Sequence, residues 1–129
     1  LEEEEIIDKV RETTGPYLAK RWSELADHPI VGEARIIGML GALELSPEPR
    51  TRAPFEATEG TAGLITREIC IENGLIMRHV YDKMIISPPL IITEEQIDNL
   101  VDLVWLCLDR AEAKIKREGL MKSGSRGTN

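Results

Sequence analysis

A chain of 129 residues has room for one domain, since domains take ~100–200 residues, and it excludes a barrel scaffold of at least ~200 residues. With 42% apolar and 30% charged residues the chain has the composition of a folded protein that can bury a core. Sixteen basic against 23 acidic residues, a net charge of −7, and five aromatic rings exclude a reader of the nucleic-acid backbone and a base-stacking platform.

The acidic excess is concentrated in Glu2–Glu5, a solvated run at the start of a helical pattern. Residues 3 to 26 carry Ile6, Val10, Leu18, Trp22 and Leu25 at helical spacings. Gly15-Pro16 should kink that helix or split it in two, and His28-Pro29 should end it. Residues 31–37 and 39–46 read as two strands around a bend at Gly38. Residues 47–57, with three prolines, read as a surface loop.

Residues 59–73 predict a second helix, with Ala62, Ile65, Ile69 and Cys70 on one face and Gly74 as its stop. Strands are expected at 75–80 and 84–87 around the turn Tyr81-Asp82-Lys83. Thr93-Glu94-Glu95-Gln96 is a capping box. It opens a helix with Ile97, Leu100, Val101, Val104, Leu108, Ala111 and Ile115 on one face. Gly119 stops it, and a frayed tail follows over 119–129. The order α-β-β-α-β-β-α predicts an α+β fold: a mainly antiparallel sheet of three to four strands covered by helices, over residues 1–118.

No stretch approaches the ~20 apolar residues of a membrane span, and no signal peptide is recognisable, so the cytoplasm is the expected compartment. Cys70 and Cys107 sit in apolar helical segments and read as buried reduced thiols, without metal-ligand spacing. No nucleophile elbow or phosphate-binding glycine motif is present.

Arg78 stands out. Strand alternation puts it on one face with Ile76 and Val80, and Met77 and His79 on the other. Its fork would match a carboxylate ligand; the competing readings are an edge-strand charge or a structural salt bridge, and spacing alone favours those. His79 lacks a partner for base catalysis, and His28 reads as a loop residue. Arg50 and Arg52 could form an anion site but read better as a solvated basic loop. Glu33 and Glu44 could form an acid pair but read better as outward strand charges. Trp22 and Trp105 read as core.

Several segments in order resemble one family. They are Asp27–Arg35, Gly38–Leu45, Thr51–Phe55, Asn73–Arg78 and Ile85–Asp98. Together they are similar to the C-terminal part of class III aminotransferases, pyridoxal-phosphate enzymes of fold type I, nearest the omega-amino-acid:pyruvate group. The likeness runs from about residue 5 to 112.

The resemblance implies the small C-terminal domain, with the large cofactor-binding domain absent. It implies that Arg78 binds the substrate carboxylate and swings away for a bulky apolar group. It also implies an amino donor and a keto acid such as pyruvate as substrates, and a homodimer at full length. In the family the lysine that bonds pyridoxal 5'-phosphate lies upstream of this segment. None of Lys9, Lys20, Lys83, Lys114, Lys116 and Lys122 falls in a matching motif, so this chain alone is expected to be inactive. Ile36 and Tyr81 stand where many relatives have Gly. The alternatives are a free-standing interaction or regulatory module, and part of a related aminomutase or decarboxylase.

Overall fold

Pro16 has no N–H to donate and its ring presses on the carbonyl four residues back, so the first helix cannot continue as a regular α-helix. A computed structural model, which describes residues 2–57 and 59–124, shows how the chain solves this. Helix α1, Glu3–Lys9, passes into a π-helical turn, Val10–Thr14, and resumes as α2, Gly15–Ser23. The wider turn accommodates the proline without breaking the axis. A 3-10 turn, Glu24–Asp27, leads to the extended His28 and ends the segment.

Four strands follow in two hairpins. They are β1 (Val31–Ile37), β2 (Leu40–Leu45), β3 (Arg78–Val80) and β4 (Lys83–Ile86). Their order is β1-β2-β4-β3, every pair is antiparallel, and β1 and β3 are the edges. The expected strand 75–80 is shorter in the sheet. Residues 75–77 lie outside the ladder, because the chain opposite them has left β4 for Ser87-Pro88-Pro89, and proline has no N–H to offer. The turn is also tighter than expected, with Tyr81-Asp82 alone between paired Val80 and Lys83.

Helix α3, Thr61–Glu72, and helix α4, Glu94–Arg117, complete the fold. The capping box is present: Gln96 N donates to Thr93 Oγ1 at 3.1 Å, and Thr93 N donates to Gln96 Oε1 at 2.9 Å. Gly74 and Gly119 end α3 and α4 in the left-handed region, with φ of 79° and 72°.

Alternation aims Leu43, Leu45, Met84 and Ile86 at the helices, and all four are buried. Helix α2 lies along β1, α3 meets β3 and β4, and α4 packs against α2 and α3. Trp22 of α2 lies flat on Gly41, where a Cβ would come within 2.8 Å of the indole, and its Nε1 donates to Ala42 O at 3.2 Å. This is the core role expected of Trp22.

The last described residues are tied to the loop before α3. Glu56 N donates to Lys122 O at 2.7 Å, and Gly124 N donates to Pro54 O at 2.8 Å. So the described part of the expected tail is held by backbone bonds, because Pro54–Glu56 presents an open extended edge to it. The rest of that tail, residues 125–129, lies outside the described residues. Among the described residues, no helix is long and apolar enough to cross a membrane.

Candidate functional site

The outer face of the sheet, turned away from the helices, carries the candidate residues. Cross-strand partners share a face, so register alone fixes two rows. One row runs Arg35, Ala42, Ile85, Arg78; the next runs Glu33, Glu44, Lys83, Val80.

In the second row, Arg52 reaches over from the proline-rich loop. Its Nη2 lies 3.2 Å from Glu33 Oε1, and its Nε lies 3.1 Å from Glu44 Oε1. Bonding to Glu44, then the charges of Glu44 and Glu33, raises the Arg52 pKa above its usual value. Arg52 is thus a half-exposed loop charge gripped by two acids, and not an anion site. Register puts Glu33 opposite Glu44, two like charges that need a cation between them. The two acids do come together, as a cradle for Arg52.

In the first row, Arg78 stands on the edge strand between Ile76, 81% exposed, and Val80, 43% exposed. Its guanidinium makes no ion pair or hydrogen bond with any described residue. That removes the structural salt bridge among the described residues and leaves two readings, an edge charge and a carboxylate anchor. The face around it is apolar, with Ile37 and Leu40 exposed at the same end of the sheet.

The Arg78 hairpin is held from behind. Tyr81 adopts φ 56°, a conformation that favours Gly at this turn position. Asp82 turns inward, and its Oδ1 accepts the Gly63 N–H at 2.9 Å. The N-cap position of α3 is Gly60, which has no side chain to cap with, so Asp82 serves that end from across the fold. The approach is close: a Cβ on Gly63 would stand 2.0 Å from Tyr81 O. Sequence reasoning missed Asp82. The available signal was a helix opening on Gly with no capping side chain of its own.

His79 lies on the opposite face from Arg78, as alternation predicts, with Nδ1 3.2 Å from Tyr81 O and no carboxylate or nucleophile as partner among the described residues. His28 does more than its loop position suggested. It does lie in the loop before β1, but its side chain is fully buried there, edge-on to Trp105 with ring centroids 4.7 Å apart. Its Nδ1 accepts Ile30 N–H at 3.3 Å and its Nε2 faces Asp109 Oδ1 at 2.8 Å.

His28, Asp109 and Glu112 bring ligand atoms within 4.8 Å of one another. A metal on Nε2 would drive the ring proton onto Nδ1, against the Ile30 N–H, and Glu112 is engaged by Lys116 at 2.9 Å. The cluster is a latch between the β1 approach and α4, not a metal centre.

No protein-family model matches the chain. It is 56% identical over 115 residues to the putrescine–pyruvate aminotransferase of Pseudomonas aeruginosa, covering 89% of this chain and 25% of that protein. It is 33% identical over 113 residues to the diaminobutyrate–2-oxoglutarate transaminase of Halomonas elongata, covering 85% and 24%. A transaminase solved with L-ala superposes with TM-score 0.79 at 33% identity, over 89% of this chain and 26% of that one.

The chain matches a C-terminal segment of the class III aminotransferases. An omega transaminase from Pseudomonas jessenii in complex with PMP superposes with TM-score 0.77 at 31% identity, over 88% of this chain. The class III segment seen here spans about a quarter of the length of the relatives it matches. The α+β fold with a four-stranded antiparallel sheet is the one its residues predicted.

Proposed function

We propose that the protein carrying this chain is a pyridoxal-phosphate-dependent transaminase, and that Arg78 is its anchor for the carboxylate of a keto acid such as pyruvate. The supporting observation is Arg78 itself, a guanidinium on an exposed apolar sheet face without an ion-pair partner among the described residues. A planar fork of donors suits a carboxylate in bidentate geometry. Lying on an edge strand, the long side chain has room to withdraw when an amine without a carboxylate enters. The 56% identity to a putrescine–pyruvate aminotransferase supports a diamine-like donor and pyruvate as acceptor.

The apolar outer face around Arg78, with Ile37, Leu40 and Ile76, would be covered by the large domain in a protein of the relatives' length. The full-length protein would act as a homodimer in the cytoplasm.

The cofactor chemistry would be supplied from outside this segment, because the described residues do not fit pyridoxal phosphate. A groove of about 560 Å³ brings Lys83, Arg52, Tyr81 and Phe55 together. Arg52, however, is already held by Glu33 and Glu44, and Asp82 occupies the start of α3, which leaves no cradle for a phosphate. The cofactor would provide the electron sink; this segment would bind and orient the acid.

The test is spectroscopic. The full-length protein should show cofactor absorbance that borohydride fixes, and this segment alone should show none. Absorbance fixed on this segment would overturn the assignment of roles.

A further inference from the structure

Strand β3 is three residues long and lies at the edge of the sheet, so its ladder with β4 holds it on one side only. A strand so short frays unless something else holds it. Helix α3 does so from both ends. Upstream, Leu75 N donates to Cys70 O at 2.8 Å, and Leu75 and Met77 are buried in the core. Downstream, Asp82 Oδ1 accepts the Gly63 N–H at 2.9 Å. The segment therefore runs back along α3 from its last turn to its first, and Arg78 lies between the two fastenings.

The downstream fastening depends on one side chain. Tyr81 holds a φ of 56°, which a residue with a side chain adopts at a cost, and it is 61% exposed, so packing does little to hold the turn. The Asp82 carbonyl accepts the Leu45 N–H at 2.9 Å, which ties the turn to β2. Only the Asp82 carboxylate ties it to α3 by a side-chain bond, among the described residues.

We propose that Asp82 is a positioning residue for the Arg78 anchor: its bond to Gly63 fixes the backbone of β3, so that the guanidinium meets the carboxylate of a keto acid at one place. This rests on the reading of Arg78 as the carboxylate anchor. A side chain that withdraws for one substrate and returns for the next needs a fixed Cα, because its fork must recover the same geometry each time. Asp82 is half-buried with Oδ1 committed to α3, so it acts on the site through the strand.

The bond can bias the strand by no more than it is worth. Loss of a capping bond changes an equilibrium about five- to tenfold. Loss of Asp82 should therefore weaken keto-acid binding by that factor, well short of losing Arg78 itself.

The experiment is steady-state and half-reaction kinetics of the full-length protein carrying Asp82→Ala, Asp82→Asn, Arg78→Ala and the Asp82→Ala/Arg78→Ala pair. Thr93→Ala is the control, because Thr93 caps α4 through Gln96 and bonds to nothing in the hairpin among the described residues. Asp82→Ala should raise the keto-acid KM about five- to tenfold and spare the half-reaction with an amine lacking a carboxylate. In the pair it should add nothing to the loss caused by Arg78→Ala. Asp82→Asn should behave as wild type, because its amide oxygen still accepts, and Thr93→Ala should leave the keto-acid KM unchanged.

A keto-acid KM in Asp82→Ala no higher than in Thr93→Ala, with Arg78→Ala impaired for the keto acid alone, would overturn the proposal and leave the anchor reading standing. So would a full second loss when Asp82→Ala is added to Arg78→Ala. Equal losses of both half-reactions in Arg78→Ala would overturn the anchor reading and the proposal with it. If Asp82→Ala does not fold, Gly63→Ala decides, because its Cβ would stand 2.0 Å from Tyr81 O and displace the same turn. A raised keto-acid KM there would support the proposal, and an unchanged one would overturn it.

Discussion

Asp82 Oδ1 accepts the Gly63 N–H at 2.9 Å, and this one bond fastens the hairpin that carries Arg78 to the start of α3. It links local chemistry to site geometry. A helix whose cap position is glycine takes its cap from the turn that aims the candidate anchor. Asp82→Ala should cost ~1 kcal/mol, the usual worth of a helix cap, and Asp82→Asn should retain most of it because the amide oxygen still accepts. Urea unfolding of the two variants checks this.

Gly63→Ala tests the closeness of the same contact. Alanine is the better helix former by ~1 kcal/mol, so an unconstrained helix would gain. Here the new Cβ would sit 2.0 Å from Tyr81 O. The hairpin must move, and the variant should lose ~1–3 kcal/mol, seen as a lowered melting temperature.

The capping box at Thr93, the stops at Gly74 and Gly119, and the face occupied by Arg78 were legible in the sequence, because each follows from spacing within one element. The Asp82 cap, the burial of His28 and the grip of Arg52 on Glu33 and Glu44 were not. Each joins residues far apart in the chain and depends on strand register or helix docking. The π turn before Pro16 lies between these cases: the proline announced a disturbance, but not that the helix would widen rather than break.

Acid should weaken the α2–α4 contact. The Tyr17 hydroxyl, 2.6 Å from Asp98 Oδ1, and then Arg21 hold the Asp98 carboxyl below its usual range. A depressed folded-state pKa gives stability that is complete above the unfolded carboxylate value of ~3.9 and is lost as pH falls through the folded value. Asp98→Asn should therefore be less stable than wild type at neutral pH. The gap between their urea midpoints should close below the ordinary carboxylate range. A gap of the same size at pH 7 and in strong acid would show that Asp98 acts through shape and not charge.

The central claim concerns Arg78, and steady-state kinetics of Arg78→Ala in the full-length protein test it most directly. Folding should barely change, within ~0.5 kcal/mol, because the side chain is exposed and without an ion-pair partner among the described residues. The account predicts that kcat/KM for a keto acid falls ~100-fold or more, as for loss of a charge-paired anchor, while the half-reaction with an amine lacking a carboxylate stays nearly unchanged. Equal losses with both substrates would contradict it.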